Sequence, residues 1–216
     1  MNNHISVKNQ IYQCLPTMII SITVGILGII GVYVLSIITG TPVSYLTRDP
    51  ASVFNTKIYI GILSYLGLFL WSATTAICFF GFSLLVLNNK RCHACWFLFC
   101  CGLFSLVFTF DDAFLLHEQV IPNRLHIPEF LIFIGYAIIA AIFLVYFIRL
   151  ILTTDYLLLL IAAMFLGISA TADQFLPFGN RESFFEDSFK FIGIIFWLAY
   201  CAHTTTRIIR NGFAVK

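Results

Sequence analysis

From Cys95 to Glu118 the chain reads CWFLFCCGLFSLVFTFDDAFLLHE. The run is continuously apolar as far as Phe110, so it lacks the period-two alternation of a membrane β-strand and reads as a helix in lipid. A hydrocarbon core of ~30 Å needs ~20 such residues. Two aspartates then interrupt it, yet Ala113, Phe114, Leu115 and Leu116 continue the apolar pattern beyond them. Both the fold class and the candidate site follow from this one stretch.

Five further apolar runs accompany it, so the predicted spans are 17–40, 57–88, 95–117, 129–150, 155–176 and 184–208. The second is longer than a bilayer requires and is expected to tilt or project. The connections are short, which predicts a single transmembrane domain over residues 1–216. The first run is too long for a signal-peptide core of ~7–15 residues and reads as an uncleaved helix. The six prolines, Pro16, Pro42, Pro50, Pro122, Pro128 and Pro177, fall in connections or at helix ends. Pro128 suits a first helical turn.

Composition agrees. The 216 residues are 60% hydrophobic and 10% charged with a net charge of +2. Soluble domains carry roughly 25% charged residues, and nucleic-acid binding needs a basic surface that is absent here. The fold class is therefore all-α, an integral membrane bundle of six transmembrane helices, with the lipid bilayer as its first partner.

An even number of spans puts both termini on one side. That side would hold Lys8, Lys90, Arg91, Arg149, Arg207, Arg210 and Lys216, and the other Arg48, Lys57, Arg124, Arg181 and Lys190. The positive-inside rule then places both termini in the cytoplasm. The cysteines Cys14, Cys78, Cys92, Cys95, Cys100, Cys101 and Cys201 all fall toward that reducing side, and no disulfide framework is expected.

Nine of the ten acids fall on the other side. Asp111 and Asp112, Asp173, and Glu186 with Asp187 each sit about one turn inside an apolar collar. At ~1.5 Å per residue Asp111 lies ~24 Å along its helix from Cys95, near the outer edge of the hydrocarbon. Charged groups there are costly and should face the bundle interior and find partners. Lys190 is the expected partner, four residues after Glu186 at the favourable helix spacing, and Arg48 could approach from the first outer loop. On a 100° wheel Asp111 and Glu118 share a face, while Asp112 and His117 point elsewhere.

Carboxylates with one histidine can hold a divalent metal that activates water, bind a transported cation, or form an ion-pair network that fixes helix packing. The candidate catalytic residues are Asp111, Asp112, Lys190 and Arg48. The candidate metal ligands are Asp112, His117, Glu118, Asp173, Glu186 and Asp187. As an enzyme the protein would be a metal-dependent hydrolase or transferase acting on a lipid-like substrate; the alternatives are a scaffold or assembly partner, and a cation or proton transporter.

Structural readings stand beside these. Ser183 and Glu186 form a capping-box pattern, Glu129 suits a helix N-terminus, and Asp155 reads as a cap. Acids at a helix C-terminus oppose the dipole, so local stability does not explain Asp111, Asp112 or Asp173. Cys92-His93-Ala94-Cys95 is a lone CxxC that cannot complete a four-ligand zinc site. His203 lies too far from His117 to share a haem. Trp71, Trp96 and Trp197 read as packing or interface residues, and Gly25, Gly28 and Gly31 as a close helix contact.

Thr47-Arg48-Asp49-Pro50, Gly61-Ile62-Leu63-Ser64 through Gly67 to Trp71, Asp111 to Glu118, and Glu186 with Lys190, Gly193 and Trp197 together carry a resemblance. On these residues the chain is similar to a family of small, uncharacterised bacterial polytopic membrane proteins. That resemblance implies the six-helix fold and a bacterial inner (plasma) membrane, and no reaction. The chain shares with alkaline ceramidase-like membrane hydrolases the idea of an interfacial His/Asp metal site. It lacks their histidine pair on the last helix, having His203 alone.

Overall fold

The computed structural model describes residues 7–47, 50–57, 59–88, 93–175 and 180–214. Among them there are helices and turns and no strand. Two compact units divide the chain, Met1–Ile60 and Gly61–Lys216.

The first unit holds α1 (Val7–Thr39), α2 (Val43–Thr47) and α3 (Pro50–Val53). Gly40, at φ 65°, ends α1, in a conformation that glycine adopts without steric cost. Ser36 then donates its hydroxyl hydrogen to the Thr41 carbonyl at 2.6 Å, which ties the turn to the helix. Within this unit nothing stands close to Gly25, Gly28 or Gly31.

The second unit contains α4 (Ile62–Leu87), α5 (His93–Phe114), a π-helical turn (Leu116–Val120), α6 (Ile121–Leu125), α7 (Glu129–Ile151), α8 (Tyr156–Phe175) and α9 (Asn180–Ala214). Helix α4 packs on α5 and α9, and α9 on α8. Small residues permit these approaches. A Cβ on Gly193 would lie 2.7 Å from Leu166 Cγ, and one on Gly81 would collide with Thr205. Rings join α7 to α5 across a wider gap: Phe97 stacks on Phe143 at 5.5 Å and meets Phe147 edge-on at 5.2 Å.

Trp71, Phe97, Leu98, Cys101, Ile194, Trp197, Tyr200 and Cys201 form the buried core. Within it Trp197 Nε1–H donates to Ser105 Oγ at 2.9 Å. The outside is apolar as well: Ile134, Ile138, Ile142 and Val145 of α7 are all exposed. In water such a surface would aggregate; in lipid it costs nothing.

Among the described residues, four helical segments are long and apolar enough to cross a membrane: Ile62–Leu87, His93–Phe114, Glu129–Ile151 and Phe185–Arg210. The other two expected spans fall on α1 and α8, whose described residues include the apolar segments Gly25–Thr39 and Tyr156–Ala172.

Boundaries shift for local reasons. The run expected from residue 57 becomes helical only at Ile62, after Gly61 at φ 74°. Pro128 stands just outside α7 as its N-cap, with ψ at 138°. The helix expected to continue to residue 117 ends at Phe114, and that change builds the site.

Candidate functional site

Leu115 follows α5 with φ 50° and ψ 46°. Left-handed backbone is costly for a residue with a Cβ and places this leucine among the strained positions that need compensation. The next turn is a π-helix, a form often found at functional sites. Here the Leu115 carbonyl accepts both Gln119 N–H at 2.8 Å and Val120 N–H at 3.1 Å. Together these turn the chain back on itself, so His117 returns to the residue six positions before it.

Asp111 receives it. Its Oδ2 is 2.7 Å from His117 Nδ1. Its Oδ1 accepts the His117 backbone N–H and the Tyr136 hydroxyl, each at 3.0 Å. Asp111 is 1% exposed, so these bonds replace its hydration. The helical wheel had paired Asp111 with Glu118 and turned His117 away. That expectation is corrected, because a wheel assumes an unbroken helix and Leu115 breaks it. Glu118 is exposed and lies outside the cluster.

Asp112, one residue on, points about 100° around the helix and meets α4 and α9 instead. Lys190 Nζ lies 2.7 Å from its Oδ1, and Trp71 Nε1–H donates to its Oδ2 at 3.0 Å. Trp71 is itself held by Phe108, stacked at 5.2 Å. Lys190, the cation expected to partner these acids, meets Asp112 at ion-pair distance across helices. Asp187, on the same end of α9, is exposed and close enough to Lys190 and Asp112 for their charges to act on it. Glu186 is half-buried there.

Arg48 and the side chain of Asp173 lie outside what the structure describes. Of the expected site residues, Asp111, Asp112, His117 and Lys190 are therefore brought into contact. Trp71 and Tyr136 join them as hydrogen-bond donors. Both were legible only as amphipathic aromatics in apolar helices, whose N–H and O–H usually find a partner when buried.

His117 feels two opposed effects. Burial disfavours its charged ring, but the Asp111 hydrogen bond and the Asp111 charge outweigh it, and its pKa is raised above the ordinary 6.5. An imidazolium beside Asp111 and an ammonium beside Asp112 would together balance the two carboxylates.

Among the described residues, Asp111, Asp112 and His117 each offer one ligand atom, all within 4.8 Å of one another. Two oxygens and one imidazole nitrogen form a donor set suited to a divalent cation with open positions. Fit has a condition: the histidine must lose its proton, since a metal takes neutral imidazole. Cys95 is buried in the core, His93 packs against Phe147 at 4.9 Å, and Cys92 lies outside the described residues.

A family model described as "Domain of unknown function (DUF8692)" matches residues 19–204. No curated protein and no solved structure matches the chain.

Proposed function

The chain belongs to that family, and from this premise we propose a six-span membrane enzyme with a metal-assisted centre at Asp111, Asp112 and His117. Both termini would face the cytoplasm of a bacterial plasma membrane. The single domain would place the centre at the outer leaflet, acting as a hydrolase or transferase on a lipid-like substrate. The observation that carries this reading is the approach of three ligand atoms from three residues to within 4.8 Å.

Each residue has a role that follows from its contacts. Asp112 and His117 would hold the cation, and Asp111 would orient the imidazole, as carboxylates commonly do for metal-bound histidines. With Nδ1 turned to Asp111, Nε2 is the nitrogen left for a ligand or a proton. A bound divalent cation would supply Lewis acidity and a more acidic water. Lys190 would temper the charge of Asp112 and could meet a substrate anion. Exposed Phe110, Phe114 and Phe185 offer acyl chains an apolar approach.

Metal analysis of the purified protein tests this. Wild type should carry about one divalent ion per chain, and Asp112→Asn and His117→Asn should lose it. No ion in any of the three, after purification without chelator, removes the reading.

A specific observation favours the scaffold reading as well. All four carboxylate oxygens of Asp111 and Asp112 already meet a protein donor at 3.0 Å or less. Such a network would lock α4, α5, α7 and α9 together for assembly with a partner. It predicts that the same substitutions lower thermal stability while metal content stays at zero throughout.

A further inference from the structure

The helices carry a second polar cluster at their other end. Helix α9 runs from Lys190 to Arg207 over about 25 Å at ~1.5 Å per residue, and its apolar segment ends at Arg210. There Asp155, Ala202, His203, Thr206, Arg207 and Arg210 line an open groove of about 470 Å³. His203, Thr206, Arg207 and Arg210 recur at the spacing of one helical face. Asp155 faces them from the junction of α7 and α8.

Asp155 lies 3.6 Å from His203 Nδ1 and 3.7 Å from Arg207 Nη1. These separations exceed hydrogen-bond length, so neither side chain is hydrogen-bonded to the carboxylate. Nor is the charge balanced, since two guanidinium groups and an imidazole face one carboxylate. Arg149, in the last turn of α7, adds a third guanidinium to this end. Thr206 also lines the groove, and its hydroxyl donates to the Ala202 carbonyl at 2.8 Å. Asp155 also precedes the first turn of α8, whose N–H groups favour an anion.

We infer that this groove binds a phosphate-bearing anion, held by the forked donors of Arg207 and Arg210, with Asp155 as the intramolecular group it displaces. Guanidinium pairs phosphate bidentately, and a groove at the end of a membrane span lies at headgroup level. The anion could be a phospholipid headgroup or free phosphate, which share this chemistry. The inference does not depend on a metal or a reaction at the Asp111 end.

The experiment uses the full chain, extracted in detergent and reconstituted into nanodiscs of phosphatidylcholine with phosphatidylglycerol. Lipid retained on the protein is read by native mass spectrometry, and thermal stabilisation by inorganic phosphate is read in parallel. Arg207→Gln/Arg210→Gln should lower phosphatidylglycerol retention, or the phosphate response, by roughly tenfold. Asp155→Asn should raise it severalfold, because the competing carboxylate is gone. Arg124→Gln, outside the groove, should change neither. A response to phosphatidylglycerol alone assigns the site to a headgroup, and one to inorganic phosphate assigns it to the free anion. Equal retention and equal phosphate response in wild type and the double variant overturn the proposal, as does weaker binding by Asp155→Asn. Circular dichroism and melting of the variants separate loss of binding from loss of fold.

Discussion

Two clusters of the same residue types occupy different sites in this molecule and differ in almost every physical respect. Asp111 and Asp112 contact their cationic or imidazole partners at 2.7 Å, with side chains 2% and 12% exposed. Asp155 reaches its partners only at 3.6 and 3.7 Å and is 45% exposed. Buried, an acid must find all its donors within the protein, and removing any of them leaves an uncompensated group. Exposed, an acid shares its partners with water and can exchange them. The first arrangement suits a fixed centre and the second a site that accepts ligands from solution or lipid.

The largest effect should come from Asp111→Ala. It strands the Tyr136 hydroxyl, the His117 N–H and the imidazole at once, and it leaves Leu115 in left-handed backbone without its compensation. Breaking a buried pair costs about 3–5 kcal/mol, so unfolding in detergent should move by that amount. A loss under about 1 kcal/mol would mean that the two clusters do not differ in the way described.

Next in size is the pair across α5 and α9. Asp112→Asn and Lys190→Met should each destabilise, and the double variant should cost less than their sum. A coupling of about 1–3 kcal/mol is expected for groups in direct contact. Additive losses would show that Lys190 spends its charge elsewhere, on Asp187 or in water.

His117 sharpens the comparison through pH. Its pKa in the folded protein is raised above 6.5, so the folded state holds the proton more tightly than the unfolded chain. The stability this contributes is complete below about 6.5 and is lost as pH rises through the higher folded value. Metal-free wild type should therefore be more stable, relative to His117→Asn, in mildly acidic solution than in mildly basic solution. A difference between the two proteins that stays constant across that window would show that the ring titrates alike in both states.

Much of this was legible from the residues alone. Long apolar runs mark their helices because a bilayer asks for length and little else. The Asp111–Asp112 pair stood out because acids inside an apolar collar have no local justification. His117 was misplaced because the turn that delivers it is made by a leucine in left-handed backbone, where glycine or asparagine would have signalled a break. Lys190 was legible as the cation for these acids, but the i, i+4 rule sees one helix at a time and could not say which acid of another helix it meets. Its contact with Asp112 spans 78 residues, and nothing local encodes that. Trp71 was taken for packing and Tyr136 was not singled out, since an indole or phenol advertises its apolar body before its one polar atom.

The smallest effect belongs to the exposed cluster, and its smallness is what makes it informative. Asp155→Asn removes the carboxylate from two contacts that are longer than hydrogen bonds and open to solvent. Exposed pairs of this kind contribute about 0–1 kcal/mol, and salt screens them further. The melting temperature in phosphate-free buffer should barely move, and what remains should vanish as ionic strength rises. A loss as large as that of Asp112→Asn would place Asp155 in a tight contact, and an acid held so firmly could not give way to an incoming anion. The stability of one variant thus bears on both clusters. It checks the low cost of the exposed one and, by contrast, the attribution of the larger losses at Asp111 and Asp112 to burial rather than to charge itself.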